Sequence, residues 1–431
     1  MLGLGAFRTG VAPGGALAGP WVRNPLWRNA RAVPSLDLQF ADNKSLVDGV
    51  TSQNLVTFTR ASNGTYVGSD GLIKSATTNE PRFDHNPTTG ESLGLLVEEA
   101  RTNLLLWSED FGNVIWLYTA ASVSTNTSVA PDGTTTADTI NAGGTAVASQ
   151  SITKTASAIT YTASVFVKGT VTGLSFTVDD GATVNRGRCV FNLSTGTLSS
   201  ATNDGTFTNT SGTITTYPNG WYRITCTTTT NSTTIIARHR FFWSGSGTSI
   251  DVWGAQLEAG AFATSYIPTT TATVTRAADV ASITGSNFSS WYNQTEGTVF
   301  GSASVSVAAA YSGYVAEIGS FNDGFLMFRQ SDSQPVQRVR VGGADQYING
   351  FGAIWTTTGV FRNVMAYKAD DFAGSINGGA LGIDASGTLP VVSSLQVGRT
   401  GSTAYLNGHI RRITFWPTRL SNTTLQQITQ P

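Results

Sequence analysis

Residues 94–111 read GLLVEEARTNLLLWSEDF. By composition this is the best helix in the chain, rich in the long side chains that lose little freedom in a helix. Its surroundings say otherwise. LDLQFAD, from Leu36, alternates Leu36, Leu38 and Phe40 against Asp37, Gln39 and Ala41, the period of two of a half-buried strand. LVTFTRAS and TYVGSDGLIKSA follow, and Ser69-Asp70-Gly71 carries hairpin chemistry. NEPRFDHNPTTGES, with two prolines and a glycine, is an extended loop. Two readings of 94–111 compete, a lone helix or a strand, a link and a strand. The neighbours favour the second, with GLLV and NLLLWS as strands and EEART as the polar link. Glu98, Glu99 and Arg101 then form a turn or a surface pair, not an acid–base site.

The rest of the chain keeps this rhythm. YTASVFVKG, LSFTVDD, GRCVFNLSTGTLSS, GWYRITCTTTT, ARHRFFWSGSG and SIDVWGAQLEAG are strand-length runs ended by Gly, Asp, Asn or Ser, the spacing of β-sandwiches. SYIPTTTATVTRAAD has the composition of a connector. Beyond it GTVFGSASVSVA, FLMFRQSD, FRNVMAYKADDF and HIRRITFWP continue the pattern, and Asn377-Gly378 is the strongest hairpin signal in the protein. Only SNTTLQQIT, with Ser421 as N-cap, reads helical there. The expected fold is all-β: tandem sandwiches at 104–275 and 276–431, behind a small β module at 36–103 and an arm at 1–35.

Composition agrees. Of 431 residues only 12% are charged, against roughly 25% in ordinary soluble domains, and Thr, Ser, Gly and Asn replace the missing charge. A net charge of −1 offers no field for nucleic acid or an anionic membrane. No apolar run reaches the roughly 18 residues of a membrane span. The N-terminus lacks the basic start and unbroken apolar run of a secretory signal, so synthesis in the cytoplasm is expected. Cys189 and Cys226 read as small buried hydrophobes on strands.

The arm stands apart. Residues 1–36 hold Arg8, Arg23, Arg28 and Arg31, six glycines, Trp21 and Trp27, and no acid. Such a segment buries no core of its own. Docking on another chain through these arginines and tryptophans is the expectation, and folding back on its own domain is the alternative.

FTRASNGTYVGSDGLIKSATTNEPRFDHNPTTGESLGLLVEEARTNLLLWSEDF carries a resemblance. Thr59 to Ser62, Tyr66, Asn79 to Phe83 and Glu98 to Asn103 occur in the order found in a module of tailed-bacteriophage tail fibres and related virion proteins. The segment from NLLLWSEDF to TVTRAAD resembles the carbohydrate-binding-module-like jelly roll of such proteins. FRNVMAYKADDFAGSINGG and LNGHIRRITFWPTRLSNTTLQQIT resemble a concanavalin A or laminin-G-like sandwich. The resemblance covers residues 36 to 431. It implies a non-enzymatic virion protein, a tail fibre or tail-associated part. The arm is unmatched and the resemblance fixes no ligand; with the arm's composition, the expectation is docking to other virion proteins through the arm and binding of host cell-surface polysaccharide as a homo-oligomer, a trimer first. A purely structural baseplate or decoration protein and a polysaccharide-degrading tailspike are the alternatives.

Candidate chemistry is sparse. The acidic pairs Asp179-Asp180, Asp370-Asp371 and Glu109-Asp110 are sequence neighbours, which a strand sends to opposite faces, so none alone flanks a glycosidic bond. His85, His239 and His409 sit in no nucleophile or metalloprotease motif. Aromatic rings suit sugar C–H faces. Tyr222, Trp243 and Trp253 are therefore the candidate glycan contacts, Tyr222 because alternation opposes it to a core Trp221. No cofactor is expected beyond a structural calcium of the kind such jelly rolls hold, for which Glu109, Asp132, Asp138 and Glu258 are the candidate oxygen ligands.

Overall fold

A computed structural model describes residues 24–431, apart from residues 183, 246, 306–312, 351–354, 356–358 and 402–403. Strands take 52% and helices 7%, which bears out the all-β reading. The chain divides into two compact units, one of Met1–Thr57 with Ala281–Pro431 and one of Phe58–Val280. This division and the four-segment reading cut the chain differently. The 36–103 stretch contributes to both units.

In the Phe58–Val280 unit, ten strands among the described residues form one continuous sheet. Its order is Thr197–Asp204, Arg186–Asn192, Leu174–Asp179, Ile236–Ser244, Ala137–Thr153, Ser249–Ala259, Thr160–Lys168, Tyr222–Thr229 and Thr208–Thr216, with Leu117–Ser128 also paired to Ala137–Thr153. The strand Ala137–Thr153 serves two layers. Asp138 to Asn141 pair with Val252 to Ser249, and Thr145 to Thr153 pair with Ser244 to Ile236. Gly143-Gly144 lie between these blocks, where missing side chains let a strand change layers. Phe176, Phe191, Phe241, Trp243, Val165, Ile224 and Leu257 fill the core between them. Alternation is clean where a strand has one wet face: in Arg186–Asn192 every second residue is buried. Both cysteines are free and buried.

The stretch at 94–111 forms no helix. Ser92–Val97 is a strand antiparallel to Phe83–His85, and Arg101–Asn103 is a second, antiparallel to Val274–Arg276. The second apolar run, expected to be a strand, leaves the sheet at Leu104. Glu99 and Arg101 pair as expected, although the Arg101 side chain is largely buried. Glu98 does not. It is 5% exposed and joins a buried ionic cluster. Arg82 reaches Glu98 at 2.8 Å and Asp279 at 2.5 Å, Arg60 meets Asp279 at 3.1 Å, and Arg276 lies 3.5 Å from Glu98. Ser265 adds hydrogen bonds to the Glu98 carboxylate from its amide at 2.8 Å and its hydroxyl at 2.7 Å. A charge this deep persists only when paired and hydrogen-bonded, which explains why Glu98 cannot be a surface residue.

The other unit is a two-sheet sandwich. One sheet runs Gly382–Asp384, Asp371–Ile376, Phe361–Lys368, Glu296–Val305 and Gly408–Trp416, with Leu36–Leu38 on the last strand. The second contains Val280–Thr284, Ser394–Val397, Gly313–Gly319, Gly324–Arg329, Pro335–Val341 and Ala344–Gly350. Phe325 of one layer stacks on Tyr367 of the other at 4.1 Å. Asn377-Gly378 makes the expected tight turn, both with positive φ, 47° and 72°. Asn422–Thr429 is the expected helix, capped by Ser421, whose hydroxyl accepts from the Thr424 amide.

Here the docking reading meets a correction. Arg8, Trp21 and Arg23 lie outside the described residues. Pro25–Ala30 is a short helix started by the Asn24 side chain and a proline at its first turn. Its Ala30 packs with Trp416, Leu425 and Ile428. Trp27 is 8% exposed and donates its indole N–H to Asp37 at 2.9 Å. Asp37 is fully buried and is also held by Arg412 at 2.6 Å and Thr414 at 2.8 Å. Trp27 is thus core, because its ring and indole N–H are both spent within its own unit. Arg28 and Arg31 are exposed. The strand expected over 36–42 stops at Leu38, and Phe40–Asn43 turns helical. No helix among the described residues is long and apolar enough to cross a membrane.

Candidate glycan-binding cleft

The chain leaving Arg101–Asn103 is fixed before it reaches the site. The Asn103 amide donates to Ala255 O at 3.0 Å and Ile267 O at 2.9 Å, while its oxygen accepts from the Leu105 and Leu257 amides, each at 3.1 Å. One buried side chain therefore ties three segments together. Downstream, the Trp107 amide donates to Thr270 O at 2.9 Å, and the Trp107 carbonyl accepts the Trp116 indole N–H at 3.1 Å. Between these bonds Trp107 takes φ +51°. A bulky residue in the left-handed region is a genuine outlier, kept there only because its surroundings overdetermine it.

That backbone turns Trp107 onto a cleft of about 340 Å³. Glu109, Asp110 and Asp138 line it with the half-buried Trp107, and Asn126, Thr136, Thr269 and Thr270 add polar groups beside Pro268 and Val274. No lining residue is basic. Burial raises the Glu109 carboxyl above the usual range; the Tyr266 hydroxyl, donating at 3.0 Å, opposes this and the Asp132 charge adds to it. Burial also raises Asp138, which is 2% exposed, against amide donation from Asn126 at 2.8 Å and Phe111 at 2.7 Å. Asp138 holds the walls together and Glu109 faces the space. The arrangement is an aromatic face beside hydrogen-bond acceptors.

The sequence-derived candidates scatter. Trp243 and Trp253 are each 1% exposed and belong to two different cores, so neither presents a ring to a ligand. Trp243 donates to Thr248 Oγ1 at 2.9 Å, and Trp253 packs on Tyr266 at 4.8 Å. Trp221 is core as expected, and Tyr222 is half-buried, its ring standing over Gly196. Tyr222 is not a lining residue of the cleft. Of the four calcium candidates, Glu109 and Asp138 share the cleft and Asp132 is close enough to act on Glu109. Glu258 is fully buried and spends its carboxylate on the Thr264 amide and hydroxyl, at 3.0 and 2.5 Å. Among the described residues no group of three or more His, Cys, Asp or Glu side chains could hold a metal ion, so the four do not form the expected ligand set.

Histidines stay out of the cleft. His239 sits among Trp116, Phe176 and Phe241, and burial lowers it to about 4. Asp179 is fully buried and pairs with Arg238 at 2.8 Å. What sequence reasoning missed is Trp107. It was one of ten tryptophans, placed in an apparent strand, and nothing local announces a left-handed residue.

No family model matches the chain, and no curated protein matches it. Solved structures similar to parts of it include the CBM40 domain of the Ruminococcus gnavus IT-sialidase bound to α2,3-sialyllactose, at 15% identity and TM-score 0.29, covering 32% of this chain and 84% of that one. A SAP-like pentraxin from Limulus polyphemus matches at 12% identity and TM-score 0.26, over 31% and 70%. Chicken galectin 2 matches at 12% identity and TM-score 0.23, over 29% and 92%.

Proposed function

We propose that this chain is a glycan-binding virion protein of a tailed bacteriophage, a tail fibre or tail-associated part, and that the Trp107 cleft holds a sugar of the host surface polysaccharide. The observation that carries the binding site is Trp107 itself: an aromatic ring, forced by a left-handed backbone onto a cleft whose other walls accept and donate hydrogen bonds. A sugar's C–H face packs on the ring while its hydroxyls meet Glu109, Asp110 and the threonines. The virion assignment draws its support from the ordered motif series between Phe58 and Phe111. Arg60, Arg82 and Glu98 of that series meet in the buried cluster, so those motifs specify a scaffold and not the ligand. One ring contributes roughly 1–3 kcal/mol, by analogy with base stacking, so each site is weak. Assembly into a homo-oligomer, a trimer as the first expectation, multiplies it.

The test is binding of the full chain to purified host envelope polysaccharide. Trp107→Ala should weaken it by about 10–100-fold with the melting temperature within a few degrees of the parent. Unchanged binding by a folded variant overturns the cleft assignment. A hydrolytic reading has one observation in its favour, Glu109 and Asp138 brought from separate segments to one cleft. Asp138 accepts amide hydrogen bonds on both carboxylate oxygens and ties the walls together, a structural role that favours binding without turnover. Release of new reducing ends from the polysaccharide would reverse that choice.

A further inference from the structure

Cys189 and Cys226 have no part in the cleft. They lie in strands Arg186–Asn192 and Tyr222–Thr229, on opposite layers of the same sandwich, and both are fully buried. Each thiol reaches the other's neighbourhood. Cys226 donates to Gly187 O at 3.5 Å, two residues from Cys189. Cys189 donates to Ser211 O at 3.3 Å, beside Gly212, which is registered directly opposite Cys226. Two glycines let the layers close in here. A Cβ added to Gly212 would stand 2.7 Å from Cys189 Sγ and 3.1 Å from its Cβ, and one added to Gly187 would stand 2.4 Å from Thr228 Cβ. Cross-strand partners in register point to the same face, so Cys226 projects into the space Cys189 occupies. After burial, the hydrogen bond and charge of Cys189 are the next causes that raise the Cys226 thiol.

We propose that Cys189 and Cys226 are a latent cystine, reduced during synthesis and closed across the sandwich by a low-molecular-weight disulfide once the protein leaves a reducing compartment. The exchange balances in two steps. One cysteine thiolate attacks the small disulfide, forming a mixed disulfide and expelling one small thiolate. The second cysteine then attacks the protein sulfur of that bond and expels the other. Two protein thiols are oxidised to one cystine, their two protons pass to the two expelled thiolates, and the small disulfide is thereby reduced to two thiols. Access comes through the edge strands Thr197–Asp204 and Thr208–Thr216, which flank the pair and are largely exposed. Buried thiols react slowly, and that of Cys226 is raised as well, so closure takes far longer than labelling of a surface cysteine. The bridge would cross-link a loop that contains both edge strands.

The test incubates the folded full chain with oxidised glutathione and reads intact mass, non-reducing peptide maps and melting temperature. The expected result is loss of two hydrogen atoms, a single cross-linked peptide pair holding Cys189 and Cys226, and a higher melting temperature that a reductant reverses. Cys226→Ala should keep the mixed disulfide at Cys189 and never lose it to ring closure. Persistence of glutathione adducts on the parent chain overturns the proposal. So does an unchanged mass where the unfolded chain, as control, reacts fully. The proposal stands or falls independently of glycan binding.

Discussion

At the residue scale, the polar groups that matter are those the fold hides. Arg82 is fully buried between Glu98 and Asp279 and makes the shortest ion pair to each, with Arg276 farther from both at 3.5 and 3.8 Å. Replacing it with Met leaves two buried carboxylates short of a partner, which should cost about 3–5 kcal/mol of unfolding free energy in a denaturant titration. A loss under about 1 kcal/mol would mean the cluster is well solvated. Glu98 supplies the pH dependence. Burial alone would raise its carboxyl, but Arg276 and Arg82 outweigh that and hold it well below the usual range. Its stabilisation is therefore present above the unfolded carboxylate value, about 4.3, and lost as pH falls through the depressed folded value. Glu109, Asp138 and Glu258 are raised by burial and act oppositely, gaining stability as pH falls. Glu98→Gln should flatten the acid arm of a stability–pH curve, and an unchanged acid arm would show that the other carboxylates set it. At this scale the sequence was least legible. Trp221 is core as expected, but Tyr222 is half-buried against the core and outside the cleft, and Trp243 and Trp253 carry the same local signal as a binding ring and are core. Two-period alternation says which residues share a face, not which face is wet when both layers of a sandwich are covered.

At the element scale, far more was legible. Strand-length runs ended by Gly, Asn and Asp predicted an all-β chain, and the turn at Asn377-Gly378 follows from residues that tolerate positive φ. Gly378→Ala should cost about 1 kcal/mol, since alanine meets both the left-handed strain and Gln430 Cγ at 3.0 Å. A stability equal to the parent, in the same denaturant assay, would mean the turn relaxes without loss. Helical composition at 94–111 was rightly overruled for Ser92–Val97 and Arg101–Asn103, whereas the helix at 25–30 was not expected; tertiary partners decide such short segments. GLLV extends because its neighbour Phe83–His85 offers a ladder. PLWRNA coils because Asn24 caps it and Trp27 finds Asp37. Neither partner is visible in a local window.

At the scale of the whole molecule, connectivity carries the last expectation. Phe58–Val280 is continuous in sequence, whereas the other unit is assembled from both sides of it. The two ends of Phe58–Val280 are tied to each other. Arg60 pairs with Asp279 at 3.1 Å, and the Ala277 amide donates to Ser62 Oγ at 2.9 Å. Termini that meet through their own contacts are the mark of a segment able to fold alone. The docking test must respect the same logic. Deleting residues 1–33 would remove Trp27 and Ala30 from a core, so loss of incorporation would report misfolding and not docking. A fragment of residues 58–280 avoids that ambiguity, because it leaves out the arm and carries the complete cleft. It should be soluble, melt in one transition and keep the Trp107 dependence of binding. Its affinity should match that of a single site, near millimolar, while the full-length assembly exceeds it through effective concentration by about 10²–10⁴-fold. Light scattering and titration with the same polysaccharide read both quantities. A fragment that binds as tightly as the full chain would remove the need for multivalency, and one that folds without binding would place the glycan site outside residues 58–280.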